Sequence, residues 1–399
     1  MPELSAISLE GPRGVGKTAT AERRCKTARY LDQPSQRVIA EADPAAVLAG
    51  DPPILIDEWQ RVPEVWDAVR RSVDHGAGAG SYILTGSSAP GRAPTHTGAG
   101  RIVPLRLRPM TLAERGVETP AVSLSSLLDG TASSPAGSTT VALTDYAAEI
   151  ARSGFPGIRT LSGRAHRMQL DGYLQRIIDT DFPEQGHPSR RPEILRRWLA
   201  AYAAATATTA SYETIRDAAT AGDGNKPAKT TTQPYRDVLE RLWILDPVPA
   251  WIPSRNYLNR LSRSPKHHLT DPALAARAMG LEAGALLGAE GIIFGNLFES
   301  LVTLSIRVFA QKAEASVGHL RLHGGRHEVD LIVERQDKRI LAIEVKLSST
   351  VRDGDVENLK WLREKIGSDM IDAVVINTGP EAYRRKDGVA VIPAALLGP

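Results

Sequence analysis

The stretch Gly11-Pro12-Arg13-Gly14-Val15-Gly16-Lys17-Thr18 satisfies the pattern G-x-x-x-x-G-K-S/T and follows the apolar run Ile7 to Leu9. It predicts a strand, a loop whose backbone N–H groups cradle phosphates, and a helix whose N-terminus favours negative charge. Lys17 would reach the β- and γ-phosphates, and Thr18 would give a hydroxyl ligand to Mg²⁺. The alternative is a chance glycine-rich turn. The predicted binding set for ATP and Mg²⁺ is Gly11, Pro12, Arg13, Gly14, Val15, Gly16, Lys17, Thr18 and Ala19.

A second apolar run, Pro53 to Ile56, ends in the carboxylates Asp57 and Glu58. The C-terminal ends of buried parallel strands lie where α/β sheets bind their ligands. Asp57 would hold Mg²⁺, directly or through water, and Glu58 would orient and activate the attacking water. The alternative is an acidic helix start, because the helix dipole stabilises carboxylates there. With the phosphate loop, the two carboxylates predict nucleotide hydrolysis rather than binding alone.

Strand and helix signals alternate through the first segment, which predicts a parallel sheet covered on both faces. After the fourth predicted strand comes the polar cluster Thr85-Gly86-Ser87-Ser88. There Ser87 is a candidate to touch the γ-phosphate or to position water, and an ordinary turn is the alternative. The predicted strands are Ile7 to Leu9, Arg37 to Ala40, Ile54 to Ile56, Tyr82 to Thr85 and Ile102 to Leu107.

The composition is that of an ordinary globular protein, with 42% hydrophobic and 24% charged residues. A length of 399 residues predicts about two to four domains. The single cysteine, Cys25, excludes an internal disulfide framework and fits a reducing compartment. No apolar stretch approaches the roughly eighteen residues of a spanning helix, so we expect a cytoplasmic protein with no membrane partner. A net charge of +3 restricts any DNA-binding surface to a local patch.

Three short helices followed by an apolar run predict a winged helix-turn-helix within residues 190–265. Its third helix, Thr230 to Arg241, would contact DNA near its start, and a packing module with a solvated polar face is the alternative. The candidate DNA contacts are Lys229, Thr231, Thr232, Tyr235 and Arg236. The predicted divisions are an ATPase domain over 1–116, a loop or linker over 117–142, a helical connector over 143–189, the winged helix over 190–265 and a nuclease-like domain over 266–399.

Acidic residues recur in the strands predicted near the C-terminus. Asp330 lies in Val-Asp-Leu-Ile-Val, and Glu344 and Lys346 lie in Ile-Glu-Val-Lys on the next strand. Because residues two apart share a face of a strand, a hairpin can bring these three side chains together. Two carboxylates suffice to hold Mg²⁺ or Mn²⁺, and the lysine can position water or stabilise phosphate charge. Glu299, on the predicted helix Gly291 to Ala310, is a further candidate ligand. The alternative is an ion-paired strand edge.

Taken together, these motifs resemble a bacterial and archaeal group in which an AAA-type ATPase is fused to a C-terminal domain of unknown function. The resemblance implies an α/β fold class: a P-loop AAA-type parallel-sheet domain, a helical and winged-helix middle, and a C-terminal restriction-endonuclease-like, PD-(D/E)xK domain. It also implies that Arg101 reaches the nucleotide of a neighbouring subunit in a homo-oligomer. A surface arginine is the alternative. The resemblance is carried by Gly11 to Thr18, Ile54 to Gln60, Leu84 to Ser88, Gly100-Arg101, Arg108 to Thr111, Leu269 to Asp271, Gly295 to Glu299, Glu328 to Asp330 and Glu344 to Lys346.

Two functions of different classes remain open on the sequence. In the first, an ATPase drives a DNA-processing enzyme whose metal site is formed by Glu299, Asp330 and Glu344 beside Lys346. In the second, the C-terminal half is catalytically silent, and the protein is an ATP-gated regulator that recognises a partner. Convergent carboxylates with a bound metal would favour the first function.

Overall fold

A computed structural model describes residues 3–86, 97–131, 134–187, 191–220, 226, 228–253, 264–288, 291–322 and 326–399. Ser87, the candidate for γ-phosphate contact, lies outside the described residues.

The N-terminal unit is built on a parallel sheet. Its elements are β1 (Ala6–Glu10), α1 (Lys17–Glu22), β2 (Thr27–Tyr30), α2 (Pro34–Ala42), β3 (Ile54–Asp57), α3 (Glu64–Asp74), β4 (Tyr82–Gly86) and β5 (Ile102–Arg106). Within the described residues the sheet has five strands in the order β2-β3-β4-β1-β5, all parallel. The predicted parallel sheet is therefore confirmed. Every residue of β3 is buried, as expected of a central strand covered on both faces.

The predicted second strand, Arg37 to Ala40, is wrong. These residues lie in the helix α2, and the second strand is β2. Pro34 occupies the first turn of α2, where its fixed φ suits a helix and its missing N–H costs nothing. Val38 and Ile39 are 62% and 56% exposed, so this β-branched pair does not belong to the sheet core.

The middle of the chain is mostly helical. Its elements are β6 (Val122–Ser123), α4 (Leu124–Leu128), β7 (Gly137–Ser138), α5 (Leu143–Arg152), α6 (Pro156–Arg159), α7 (Gly163–Arg176), α8 (Phe182–Glu184), α9 (Pro192–Ala204), α10 (Tyr212–Ala218), α11 (Lys229–Arg241), α12 (Pro272–Ala278) and α13 (Ala283–Leu286). After α11, antiparallel bridges join Leu245 to Leu269 and Val248 to Lys266. We call residues 245–248 and 266–269 the bridge ladder. The assignment of α9 to α11 as a winged helix remains a prediction.

The C-terminal unit is a mixed sheet between two helices. Its elements are α14 (Gly291–Lys312), β8 (Ser316–Arg321), β9 (Glu328–Glu334), β10 (Ile340–Val345), α15 (Glu357–Ile366), β11 (Met370–Asn377), β12 (Glu381–Arg384), β13 (Ala390–Pro393) and β14 (Leu397–Gly398). In the described part of the chain the strand order is β7-β12-β13-β11-β10-β9-β8. Leu341 and Ile343 pack in the core that holds α14, whereas Ile340 and Ala342 pack in the core that holds α15. Since alternate strand residues face opposite ways, the two helices cover opposite faces.

The described elements within residues 117–142, a segment predicted to be a loop or interdomain linker, instead pair and pack with the C-terminal unit. β6 pairs with β14, and β7 pairs with β12. Leu124, Leu127 and Leu128 of α4 are buried. The leucines recur at helical spacing after Ser123, whose hydroxyl caps the helix. Because Ser and Thr dominate this segment, the helical pattern is easily missed in the sequence.

Helix α14 is, among the described residues, the one long and apolar enough to cross a membrane. Most of it is buried inside the protein, with Leu297, Phe298 and Leu301 fully buried. It also carries Glu299 and Arg307, whose charges are paired inside the fold. This packing is that of a core helix, and the cytoplasmic localisation remains a prediction.

Candidate nucleotide and carboxylate sites

The predicted phosphate loop lies between β1 and α1, at the C-terminal edge of the parallel sheet. Residues 11–16 form the loop, and the rest of the nucleotide-binding set, Lys17 to Ala19, forms the first turn of α1. Gly16 has a φ of 102°, a backbone conformation that favours glycine. A Cβ added at Gly11 would lie 2.3 Å from the carbonyl oxygen of Leu107. The motif glycines therefore serve a left-handed turn and a close backbone approach.

Lys17 is held inside the loop. Its Nζ donates hydrogen bonds to the carbonyl oxygens of Gly11 (2.7 Å) and Pro12 (2.8 Å). Burial lowers the pKa of Lys17 to about 8, although the charges of Glu58 and Asp57 act in the opposite direction. A bound phosphate would offer this ammonium a charged acceptor in place of two neutral carbonyls, and charge-assisted hydrogen bonds are the stronger kind. The loop therefore fits a phosphate ligand.

Thr18 and Asp57, the predicted Mg²⁺ ligands, are in direct contact. The Thr18 hydroxyl donates to Asp57 Oδ1 at 2.8 Å. The hydroxyl of Thr85, at the end of the neighbouring strand β4, donates to the same oxygen. These are hydroxyl and carboxylate oxygens, the hard ligands that Mg²⁺ prefers. Thr85 belongs to the polar cluster noted in the sequence, but its contact with Asp57 was not predicted.

Glu58, the predicted base, begins a tight turn with a φ of 54°. Its Oε2 accepts a hydrogen bond from Nε2 of Gln60 at 2.6 Å. Gly86 lies against this pair, since a Cβ added there would be 2.6 Å from Gln60 Oε1. Gln60 therefore orients the Glu58 carboxylate, a positioning role that sequence reasoning did not assign.

Arg101 lies at the opposite edge of the sheet from the phosphate loop. Ile102, the first residue of β5, pairs with Ala6, whereas Glu10, next to the loop, pairs with Arg106. Four residues of strand span about 13 Å, so Arg101 cannot contact its own phosphate loop. Its Nε pairs with Asp74 at 2.7 Å on the surface. Contact between Arg101 and the nucleotide of a neighbouring subunit remains a prediction.

Of the five predicted DNA contacts, two are buried, one is partly buried and two are exposed. Thr232 and Tyr235 are buried in the helical core. Arg236 stacks over the ring of Tyr212 at 4.9 Å and pairs with its neighbouring aspartate. Lys229 and Thr231 are exposed. At the start of α11, Thr232 and Tyr235 therefore turn toward the core, whereas Lys229 and Thr231 face outward. DNA binding by this helix remains a prediction.

Asp330 and Glu344 come together in the C-terminal sheet. The register of β9 and β10 pairs Leu331 with Ile343, so the next pair along the strands is Asp330 and Glu344. Lys346 Nζ lies 2.9 Å from Glu344 Oε1. Burial, and then the charge of Asp330, raises the pKa of Glu344 to about 8. The hairpin therefore assembles the three side chains as predicted.

The cation among the carboxylates is a side chain that the sequence analysis did not single out. Lys266 Nζ lies 2.8 Å from Glu299 Oε1, 3.0 Å from Asp330 Oδ1 and 3.4 Å from Glu328 Oε1. The Lys266 side chain is 1% exposed. Burial opposes its charge, but Asp330, Glu299 and Glu328 outweigh burial and raise the pKa of Lys266. We call Lys266, Glu299, Glu328 and Asp330 the lysine–carboxylate cluster.

The Lys266 ammonium lies beside Glu299 and Asp330, two of the three carboxylates predicted to surround one divalent ion. A metal site formed by Glu299, Asp330 and Glu344 remains a prediction. Within the described ranges, no group of three or more His, Cys, Asp or Glu side chains has a metal-binding arrangement. In the lysine–carboxylate cluster, the Lys266 ammonium balances part of the carboxylate charge. No spacing in the sequence could have pointed to Lys266, because its partners lie on α14 and β9, far along the chain.

Comparisons with known proteins divide the chain in three. Residues 4–115 match the family described as "AAA domain", residues 143–285 match "Domain of unknown function (DUF8612)", and residues 294–397 match "Domain of unknown function (DUF4143)". The first match includes the phosphate loop, Asp57 and Glu58. It supports an AAA-type ATPase, with ATP-dependent activity and the nucleotide and Mg²⁺ use usual for such a domain.

Two mycobacterial proteins, each described as "Uncharacterized protein", are similar to most of this chain. Rv2008c of Mycobacterium tuberculosis and Mb2031c of Mycobacterium bovis are each 24% identical over 97% of this chain and 80% of their own length. The solved structure of protein VC1899 from Vibrio cholerae aligns with 98% of this chain and 94% of its own, at 12% identity and a TM-score of 0.20. That score is too low to support a shared fold.

Proposed function

We propose that this protein is an ATP-gated regulatory or partner-binding protein whose nuclease-like domain is catalytically silent. In the ATPase cycle, Lys17 would bind the β- and γ-phosphates, and Thr18 and Asp57 would hold Mg²⁺. Bound Mg²⁺ would supply charge stabilisation for the transferred phosphoryl group. Glu58, oriented by Gln60, would accept the proton of the attacking water.

The observation that carries the silent assignment is the position of Lys266. Its ammonium lies within 3.4 Å of three carboxylates and donates hydrogen bonds to Glu299 and Asp330. A divalent ion at these oxygens would have to displace a buried lysine whose own charge would then lose its partners. Removing one partner of a buried ion pair costs about 3–5 kcal/mol, so metal binding in this conformation is opposed.

A second candidate function, an ATP-coupled nuclease acting on DNA with Mg²⁺ or Mn²⁺, is favoured by one observation. Asp330 and Glu344 are adjacent across β9 and β10, with Lys346 beside them. Two adjacent carboxylates with a lysine beside them are the arrangement that metal-assisted phosphodiester hydrolysis needs. The Lys266 ammonium in the lysine–carboxylate cluster is the feature that does not fit this function.

Cleavage of DNA separates the two functions. The full chain is incubated with linear and supercoiled DNA and Mg²⁺ or Mn²⁺, with and without ATP, and compared with Asp330→Asn. Asp372→Asn is the matched control, because Asp372 is also a buried strand carboxylate but pairs with Arg384, away from the cluster. We expect no cleavage that depends on Asp330. Cleavage that is lost in Asp330→Asn and kept in Asp372→Asn would establish the nuclease instead.

A further inference from the structure

Asp246 lies at a junction of three parts of the molecule. Its buried carboxylate accepts hydrogen bonds from Arg106 at 2.9 Å and from Arg108 at 2.8 Å, and it forms an ion pair with Arg307 at 2.8 Å. Arg106 ends β5 of the ATPase sheet, Arg108 follows it, and Arg307 lies on α14 of the C-terminal unit. We call these four residues the Asp246 hub. One carboxylate therefore connects the ATPase sheet to the helix that also carries Glu299.

The hub is in backbone contact with the phosphate loop. Arg106 pairs with Glu10 across β5 and β1, and the N–H of Leu107 donates to the Glu10 carbonyl at 2.7 Å. The next residue, Gly11, approaches the Leu107 carbonyl too closely for any side chain. The carbonyl oxygen of Gly11 accepts a hydrogen bond from Nζ of Lys17. A movement of Lys17 toward a bound phosphate would therefore change its contact with Gly11. Gly11 packs against Leu107, which lies between the hub residues Arg106 and Arg108.

The hub is also joined to the lysine–carboxylate cluster. The N–H of Asp246 donates to the carbonyl of His268 at 2.9 Å. Two residues along the bridge ladder, Val248 and Lys266 exchange both backbone hydrogen bonds, each 2.9 Å long. The backbone of Lys266 is thus two ladder pairings away from the carboxylate that holds the three arginines.

The charges of the hub make it stiff. The three arginines outweigh the effect of burial and hold the pKa of Asp246 well below its usual range. Arg106 also stacks over the Trp243 ring at 4.5 Å, and Arg307 donates to the carbonyls of Asp246 and Pro247. Separating any of these arginines from Asp246 would leave a buried charge without its partner, which is costly. We therefore expect a displacement of β5 to move Asp246 with it rather than to break these ion pairs.

We propose that the Asp246 hub couples the nucleotide state of the phosphate loop to Lys266, so that bound ATP loosens Lys266 from its carboxylates. The proposal rests on the proposed ATP gating and gives it a route: Lys17, Gly11, Arg106, Asp246, and the bridge ladder. Coupling of this kind requires a shared element whose equilibrium both sites bias, and the Asp246 hub is the element to which the proposal gives that role.

The test measures the chemical reactivity of the Lys266 amine in the full chain. The protein is acetylated briefly with acetic anhydride, and the rate at Lys266 is quantified by peptide mass spectrometry relative to the exposed Lys360 in the same digest. Samples contain either no nucleotide or Mg²⁺ with the slowly hydrolysed analogue ATPγS. We expect the relative rate at Lys266 to rise about fivefold or more with the analogue, the low end of usual coupling. A ratio of one, or a decrease, would overturn the coupling.

Variants test the route. Arg106→Gln removes one of the three guanidinium groups that pair with Asp246 and leaves the other two in place. It should reduce the response to about one while the analogue still binds. Arg277→Gln is the matched control, because it breaks an Arg–Asp pair with Asp171 outside the hub. A full response in Arg106→Gln would overturn this route. Calorimetry separates the two proposals: binding without a response overturns the coupling alone, whereas absence of binding overturns the proposed ATP gating together with it.

Discussion

Replacing Lys266 with methionine should reveal how much the lysine–carboxylate cluster depends on its internal cation. Methionine keeps an unbranched apolar side chain but removes the ammonium. Glu299, Glu328 and Asp330 would then face one another without a counter-charge. We expect the folded protein to lose stability and to acquire an affinity for divalent cations at the lysine–carboxylate cluster.

The size of the loss follows from burial and distance. The Lys266 side chain is 1% exposed, and its two shortest contacts are 2.8 and 3.0 Å. Breaking a buried ion pair by removing one partner costs about 3–5 kcal/mol. Lys360→Met is the matched control, since Lys360 is 40% exposed in its pair with Asp387. An exposed pair contributes about 0–1 kcal/mol, so the two variants should differ by several kcal/mol.

Urea unfolding at neutral pH, with and without Mn²⁺, measures both effects. A divalent ion present at about 100 times its Kd adds about 2.7 kcal/mol to the free energy of unfolding. We expect this gain in Lys266→Met and no comparable gain in wild type or Lys360→Met. The reasoning is refuted if Lys266→Met loses no more stability than Lys360→Met, or if Mn²⁺ stabilises wild type and variant equally.

The remaining predictions concern the two sites separately. Lys17→Ala should abolish measurable ATP binding in calorimetry while the circular dichroism spectrum is unchanged, because it removes a charge from a polar loop; unchanged affinity would contradict the assignment. Glu58→Gln should still bind ATP but lose turnover, since an amide cannot act as a base, and wild-type turnover would exclude Glu58 as the base. Mixing Lys17→Ala with Arg101→Ala should restore part of the ATPase activity if Arg101 acts between subunits, where such a cation contributes factors of about 10³ to 10⁵; no rescue, with a monomer by light scattering, would argue for a self-contained site. Because burial and the Asp330 charge raise the pKa of Glu344 from 4.5 to about 8, its contribution to stability is present below about pH 4.5 and is lost as the pH rises through about 8. Unfolding of wild type and Glu344→Gln between those values should show a weaker pH dependence in the variant, and equal slopes would contradict the assignment.

The sequence could predict an AAA-type nucleotide domain because the parts of its phosphate loop are local. Gly11 to Thr18 is one continuous segment, and Asp57 ends a strand that the apolar pattern marks clearly. The contact between Thr18 and Asp57 then follows from the parallel sheet, which brings strand ends to one edge. The hairpin that pairs Asp330 with Glu344 was predictable for the same reason, since strand alternation and chain order define it.

Other features depend on contacts between residues far apart in the chain, which the local spacing of residues does not indicate. Lys266 meets carboxylates from two other elements, and Asp246 meets arginines more than fifty residues away on either side. Arg37 to Ala40 shows the opposite failure, because a β-branched pair resembled a strand while Pro34 started a helix. In each case tertiary context, and not the local pattern, decided the outcome.

Because β6 and β7 pair with strands near the C-terminus, the C-terminal unit is formed from two separate segments of the chain. β6 pairs with β14, and the Ser123 hydroxyl donates to the carbonyl of Pro399, which is 276 residues later. During synthesis, Leu124, Leu127 and Leu128 would therefore leave the ribosome long before the strands that cover them. Because such non-local pairing is slow and leaves apolar surface exposed in the interim, this unit should be the last to fold and the most prone to aggregate on the ribosome. Expressing residues 266–399 alone would remove α4 and leave the apolar surface beneath it exposed to solvent.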